Sequence, residues 1–312
     1  MNRHSEAIVV FGEALIDDFG SQQLVGGAPF NVARNLAGFG LRPLIITRIG
    51  RDANGKQVLA EFDRFGMSVD GLQIDQVMPT GRVLVERVDG QPGYTIVPNQ
   101  AYDYIGSGQA VAAASGVRHA VVYFGTLAQR GLVSRSAVRD VLLASDARRY
   151  LDLNLREGQV SERCVFESMK RADIVKVNEV ELQALFGFYT HTRHDTAHMD
   201  NLELRMACAT LLRTFELEGL IVTLGARGAV YFGADGTVVA DYVSAAPQAV
   251  IDTVGAGDAF SAVFLYGQAQ GWSVRQRLER GNAFAGAICG IAGAVPQDLA
   301  FYAPWLTRWQ AG

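Results

Sequence analysis

The sequence has little of what would cross-link it, export it or hold it in a membrane. Its three cysteines, Cys164, Cys208 and Cys289, are far apart and odd in number, with no C-x-x-C pair. That excludes a disulfide framework and a cysteine zinc site and leaves buried free thiols as the expectation. Long apolar runs are missing too. The first, Ala7 to Phe11, soon meets Glu13, Asp17 and Asp18 and is too short for a signal peptide. The longest, residues 283–295, contains three glycines and falls short of a bilayer span. With a formal charge of −4 there is no overall basic field to favour nucleic acid or an anionic membrane. No repeat, low-complexity tract or linker interrupts the chain. A cytoplasmic protein that binds neither is expected.

What is present is 312 residues with 19% charged residues, enough for one large α/β core with an appendage. Apolar runs at Ala7 to Phe11 and at 44–49, 120–124, 150–153, 174–177 and 220–224 read as strands. Between them, helical spacing marks 28–39, 58–65, 134–145, 161–171, 179–186 and 201–215. This alternation predicts a parallel sheet covered on both faces. Two segments break it. Residues 80–97 read as a hairpin turned at 89–93, and 230–242 as another turned at Asp235-Gly236. A late helix is expected over 278–295.

The most informative stretch is 250–267, VIDTVGAGDAFSAVFLYG. An apolar run ends at Asp252-Thr253, the small turn Gly255-Ala256-Gly257 follows, and Asp258 opens an apolar-periodic helix. Glycines leave the turn amides uncovered at a helix N-terminus, an arrangement that binds anions. A carboxylate beside such a turn repels a phosphate unless it has work of its own, such as taking a proton from an attacking hydroxyl. Taken alone, the turn also reads as a capped helix with closely packed glycines.

The turn resembles the C-terminal signature of the ribokinase-like sugar kinases, D-T-x-G-A-G-D-x-F, matched from Asp252 to Phe260. Val263 departs from it, standing where the family usually has a small residue. The resemblance implies that Asp258 is the catalytic base and that the amides of Gly255, Ala256 and Gly257 hold the transferring phosphoryl group. Earlier in the chain, Gly12-Glu13-Ala14-Leu15-Ile16-Asp17 and Gly26-Gly27-Ala28-Pro29-Phe30-Asn31 resemble the family's sugar-binding signature, in a form similar to bacterial fructokinases, with Phe30 where alanine is frequent. Asp17, Gly26, Gly27 and Asn31 are then sugar contacts. Read on residues alone, the second segment is an ordinary strand-to-helix turn.

The same resemblance gives roles to residues at strand ends. Asn178 and Glu181 match N-x-x-E, which orders Mg²⁺ and its waters, and are equally an N-cap with a first-turn acid. Arg156, after Asp152-Leu153-Asn154-Leu155, is placed over the cleft against substrate or phosphate. Thr223, Gly225 and Gly228 match a nucleotide loop, and Asn282 an asparagine near adenine. Relatives often bind K⁺ beside the turn at Asp252.

The resemblance therefore implies a ribokinase-like three-layer α/β fold. Residues 1–312 form one catalytic domain with a mainly parallel sheet. A small inserted β lid is formed by about 78–100 and part of 14–25. Tyr94 and Ile96, or their immediate neighbours, face the ligand, and lids pair across a homodimer. The expected activity is phosphorylation of a small neutral sugar by ATP with Mg²⁺, fructose first. The alternatives are 2-keto-3-deoxygluconate, whose acid group needs a lid cation that is missing after Tyr94, and ribose. A silent sugar- or nucleotide-binding regulator is the alternative from another class. Two further patterns are set aside. Residues 50–57 nearly spell a P-loop but place Gln57 where a hydroxyl is needed. His191, His194 and His198 lie in a polar stretch that reads as a solvated loop. A dehydrogenase is excluded because no glycine fingerprint follows the first strand.

Overall fold

The computed structural model describes residues 7–88, 91–242 and 250–311. Strands run in chain order as β1 (Ala7–Phe11), β2 (Leu15–Asp18), β3 (Gln23–Gly26), β4 (Leu44–Gly50), β5 (Leu72–Asp75), β6 (Gly81–Val88) and β7 (Gln91–Ile96). They continue as β8 (His119–Phe124), β9 (Arg148–Asp152), β10 (Ile174–Asn178), β11 (Gly219–Thr223), β12 (Ala229–Gly233) and β13 (Val238–Asp241). Nine of them form one sheet in the order β13-β12-β11-β10-β9-β8-β1-β4-β5. It is parallel from β5 to β11, and the β12–β13 hairpin adds an antiparallel edge.

Alternate residues of each central strand enter different cores, which is why these strands read as unbroken apolar runs. In β1, Val9 and Phe11 join one core, while Ile8 and Val10 join the other. The first core is covered by α3 (Ser107–Ser115), α4 (Leu132–Leu143), α5 (Glu162–Met169), α6 (Glu179–Tyr189) and α7 (Leu202–Phe215). The second is covered by α1 (Ala28–Gly38), α2 (Ala53–Phe65), α8 (Ala256–Ala269), α9 (Val274–Ile288) and α10 (Ala303–Ala311).

The remaining strands form a separate sheet in the order β3-β2-β6-β7. Its β2–β3 and β6–β7 pairs are antiparallel and its β2–β6 pair is parallel. Asp52 ties it to the body. One carboxylate oxygen caps α2 at the Gly55 amide (2.7 Å), and the other accepts from the Thr80 amide (2.8 Å), just before β6. This is the work of the 50–57 segment, which is a helix start and not a phosphate loop.

Several elements differ from the sequence reading. The helix expected over 278–295 starts earlier, at a Ser273–Gln276 capping box, and stops at Ile288 before Gly290 and Gly293. β7 begins at Gln91, so pairing runs on through Pro92 and Gly93, and the expected turn residues Asp89 and Gly90 lie outside the described residues. β5 and α3 were not expected. β5 is a four-residue edge strand, and α3, SGQAVAAAS, buries little beyond Ala110 and Ala114, too small a stripe to show helical periodicity.

Candidate active site

α8 starts at Gly255, whose φ of +80° suits glycine and whose added Cβ would lie 2.5 Å from Ala294. No side chain caps this helix. The Ala256 amide turns back to the Thr253 carbonyl (3.3 Å). Asp258 sits in the first turn, half-buried, and its carboxylate accepts a 2.7 Å hydrogen bond from the Asn31 side-chain amide. Burial pushes the Asp258 carboxyl up to about 6, against the Asn31 hydrogen bond that favours its charged form.

Asn31 is held in turn. The buried Arg34 guanidinium donates to its carbonyl oxygen (2.5 Å) and pairs with Glu61 (2.5 Å). That settles which end of the Asn31 amide faces Asp258. Asn31 therefore meets the expected base and has both ends of its amide engaged.

Asp17, on β2, pairs with Leu24 of β3, and its carboxylate lies against Gly26, two residues further along that strand. A Cβ at Gly26 would come within 2.2 Å of an Asp17 carboxylate oxygen. Gly27, with φ of +102°, lets the chain pass the Glu13 carbonyl before α1 begins. Glu13 is buried, with one carboxylate oxygen lacking any hydrogen-bond partner. Burial raises Glu13 to about 7 and Asp17 to about 6, and the charge of Arg156 opposes both shifts as it does at Asp258. The exposed Arg156 thus acts electrostatically on three carboxyls drawn from β2, α8 and the loop after β1.

The C-terminal ends of β9, β10 and β11 meet at the same edge of the sheet, where open α/β sheets bind ligands. Asn178 and Glu181 form a reciprocal capping box at α6. The second oxygen of Glu181 accepts from the Leu155 amide (2.8 Å), so this buried carboxylate fastens the loop carrying Arg156 to the start of α6. Thr223 pairs with Asn178 across β10 and β11. Gly228, with φ of +99°, leaves no room for a Cβ, which would fall 1.9 Å from the Asp241 carbonyl, whereas Gly225 faces open space.

The other expected residues also make contacts within the fold. Asn282 is buried and donates to Asp241 (2.7 Å), joining α9 to β13. Asp252 accepts from the amides of Val254 (3.0 Å) and Gly293 (3.2 Å). Tyr94 is 57% exposed on β7, while Ile96, on the same strand face, packs against the first core. His191, His194 and His198 lie in the loop between α6 and α7, and no cluster of three metal-ligating acids, histidines or cysteines occurs among the described residues.

One group had no role in the sequence reading. Lys176, alone among apolar neighbours in β10, is buried with its ammonium on both oxygens of Asp152 (2.8 and 3.0 Å). A lysine inside a strand covered on both faces was itself the available signal.

Comparison with known proteins gives this site its family. Residues 5–298 match the pfkB family carbohydrate kinase. Fructokinase-1 of Oryza sativa subsp. japonica is 30% identical over 326 residues, covering 95% of each chain. A fructokinase from Xylella fastidiosa, solved with bound ATP, superposes with a TM-score of 0.76 at 21% identity, covering 98% of this chain and 99% of its own. A fructokinase from Vibrio cholerae O395, solved with fructose, ADP and potassium ion, gives a TM-score of 0.75 at 24% identity, covering 96% and 98%. The fold is ribokinase-like. The chain belongs to the pfkB family of carbohydrate kinases, and it is a fructokinase-like phosphotransferase with an alcohol group as acceptor.

Proposed function

We propose that this enzyme transfers the terminal phosphoryl group of ATP to a hydroxyl of a small neutral sugar, with fructose the leading acceptor and Asp258 the base. The observation that carries this reading is the Asp258 carboxylate, fixed by Asn31 in the first turn of a helix that has no side-chain cap. A carboxylate raised to about 6 is charged at neutral pH yet basic enough to take a proton in the transition state. Uncapped amides of the Gly255-Ala256-Gly257 turn stabilise charge on the moving group. Asp17, beside Gly26 and Gly27, takes the sugar hydroxyls, and Arg156 faces the substrate or its phosphate. Thr223, Gly225, Gly228 and Asn282 belong to the nucleotide side.

Both Glu181 oxygens already accept backbone amides. Asn178 and Glu181 therefore suit a Mg²⁺ ion held through its waters. Magnesium, when bound, neutralises phosphate charge. Asp252 shapes the loop beside which K⁺ would sit, a reading supported by the potassium-bound fructokinase relative.

In this reading residues 1–312 act as one catalytic domain in the cytoplasm. The four-stranded sheet is a lid that closes over the sugar, carries Tyr94 and pairs with the lid of a second copy. Closure excludes water that would otherwise hydrolyse ATP.

The test is ADP release with Mg²⁺-ATP and K⁺ across fructose, ribose, 2-keto-3-deoxygluconate, adenosine and fructose 1-phosphate, beside Asp258→Asn. Turnover of fructose that collapses in the variant supports acceptor and base together. Preference for ribose or the keto-acid moves the assignment to that sugar. ATP binding without turnover of any acceptor favours a regulator.

A further inference from the structure

Lys176 lies at an unusual place for a lysine. β9 and β10 put Asp152 and Lys176 opposite one another, on the sheet face that α8 covers. Asp152 is buried. Besides the ammonium, it accepts from Ser261 of α8 (2.8 Å) and Tyr123 of β8 (3.2 Å). Ser261 is three residues after Asp258, so one helix delivers both the expected base and a clamp on this ion pair.

The position of the ammonium matters more than the pair itself. A buried ion pair is often replaceable by apolar residues without loss of stability, so stability alone does not account for it. A Cβ added to Gly257 would lie 3.2 Å from Lys176 Nζ. The ammonium is thus next to the glycine of the uncapped α8 turn, and any larger residue at 257 would crowd it. Its two hydrogen bonds go to Asp152, while an ammonium carries three protons.

Resting on the kinase reading, we propose that Lys176 is a phosphoryl-contacting residue that donates from Nζ to a non-bridging oxygen of the group in transfer, with Asp152 and Ser261 as positioning residues. The acceptor hydroxyl oxygen bonds to the terminal phosphorus as the bond to the bridging oxygen of ATP breaks. The electron pair leaves with ADP, and the hydroxyl proton goes to Asp258. Lys176 keeps its proton throughout. Burial alone would lower the Lys176 ammonium, but the Asp152 carboxylate outweighs this and holds it up.

The test separates a phosphoryl contact from a merely structural pair. Lys176→Met leaves Asp152 without its counter-ion, whereas the double variant Asp152→Asn/Lys176→Met removes both partners and Lys176→Gln keeps a side-chain amide donor for Asp152. Any of these that folds decides the matter. The expected result is kcat lower by about 100-fold, with KM for ATP and sugar within about threefold of the parent. A double variant with kcat within about threefold of the parent overturns the proposal. A second readout does not depend on finding the sugar. Thermal shift with Mg²⁺, ADP and aluminium fluoride, a mimic of the moving phosphoryl group, should exceed the shift with ADP alone in the parent and lose that excess in the folded variants. An equal excess in parent and variants, or none in the parent, overturns the assignment of Lys176. Failure of every acceptor with this excess intact overturns only the sugar-kinase reading.

Discussion

Asn31 and Asp258, 227 positions apart, are joined by a 2.7 Å hydrogen bond whose direction is set by Arg34 on the far side of the amide. The bond favours the ionised carboxylate and so opposes the burial that raises Asp258 to about 6. In the parent enzyme kcat/KM should fall as pH drops below about 6, where Asp258 takes up a proton. Asn31→Ala removes the opposing bond, so this acid limb should move to higher pH, with the greatest loss of activity near neutrality. A pH–rate profile decides it. An unmoved limb in Asn31→Ala would separate Asp258 from the titrating base.

Holding that carboxylate charged has a cost in stability. Burial raises Glu13 to about 7 and Asp17 and Asp258 to about 6, all above their unfolded values. The folded state therefore binds more protons than the unfolded chain from the ordinary carboxylate range up to about pH 7. This stabilisation is complete at acid pH and is lost as pH rises through 6 to 7. Asp258→Asn should then be more stable than the parent at pH 8, by ~1–3 kcal/mol, while losing activity. Urea unfolding at pH 8 and pH 5 checks both sign and window, since the gain must shrink at pH 5. An equal gain at both values argues against titration as its cause.

The sheet and its coverage were legible because each central strand buries both faces and is therefore mostly apolar. The glycine turn before Asp258 was legible because only small residues fit where Gly255 meets Ala294. Long-range pairing is not written in local spacing. Arg34 is one helical turn from Asn31, but nothing near Asn31 in the chain announces its bond to Asp258, and the sugar contact expected of it rests on the resemblance. Glu181 read as a residue that orders Mg²⁺ and equally as a first-turn acid, and it does stand in the first turn of α6. Its bond to the Leu155 amide depends on β9 and β10 lying side by side, which local spacing does not encode. Lys176 sits in an otherwise apolar run that identifies a strand and not a site.

Gly26 offers a way to move one carboxylate without disturbing the fold. A Cβ there meets the Asp17 carboxylate oxygen at 2.2 Å, the end of a side chain and not backbone, and the Gly26 backbone is not in the left-handed region. Gly26→Ala should fold with stability close to the parent while swinging Asp17 aside. If Asp17 holds the sugar, KM for the sugar should rise about tenfold or more with KM for ATP unchanged. Gly27→Ala makes the contrast. At φ of +102° and 2.6 Å from the Glu13 carbonyl it should destabilise the protein outright. An unchanged sugar KM in Gly26→Ala would remove Asp17 from the sugar site.

Glu181 joins two loops through one buried carboxylate, so its loss should register in stability and activity together. Glu181→Ala leaves the amides of Asn178 and Leu155 without their acceptor, at a cost of ~2–4 kcal/mol. It also frees the segment in which Asn154 holds a left-handed φ of 41° and which carries Arg156. Arg156→Ala should lower kcat/KM too, but Arg156 is exposed and anchors no other described side chain, so stability should stay within ~0.5 kcal/mol of the parent. Denaturant unfolding and kinetics on both variants separate the roles. If Glu181→Ala matched the parent in stability, the carboxylate would not be the fastening between these loops. Its effect on turnover would then have to come from the phosphate side of the site.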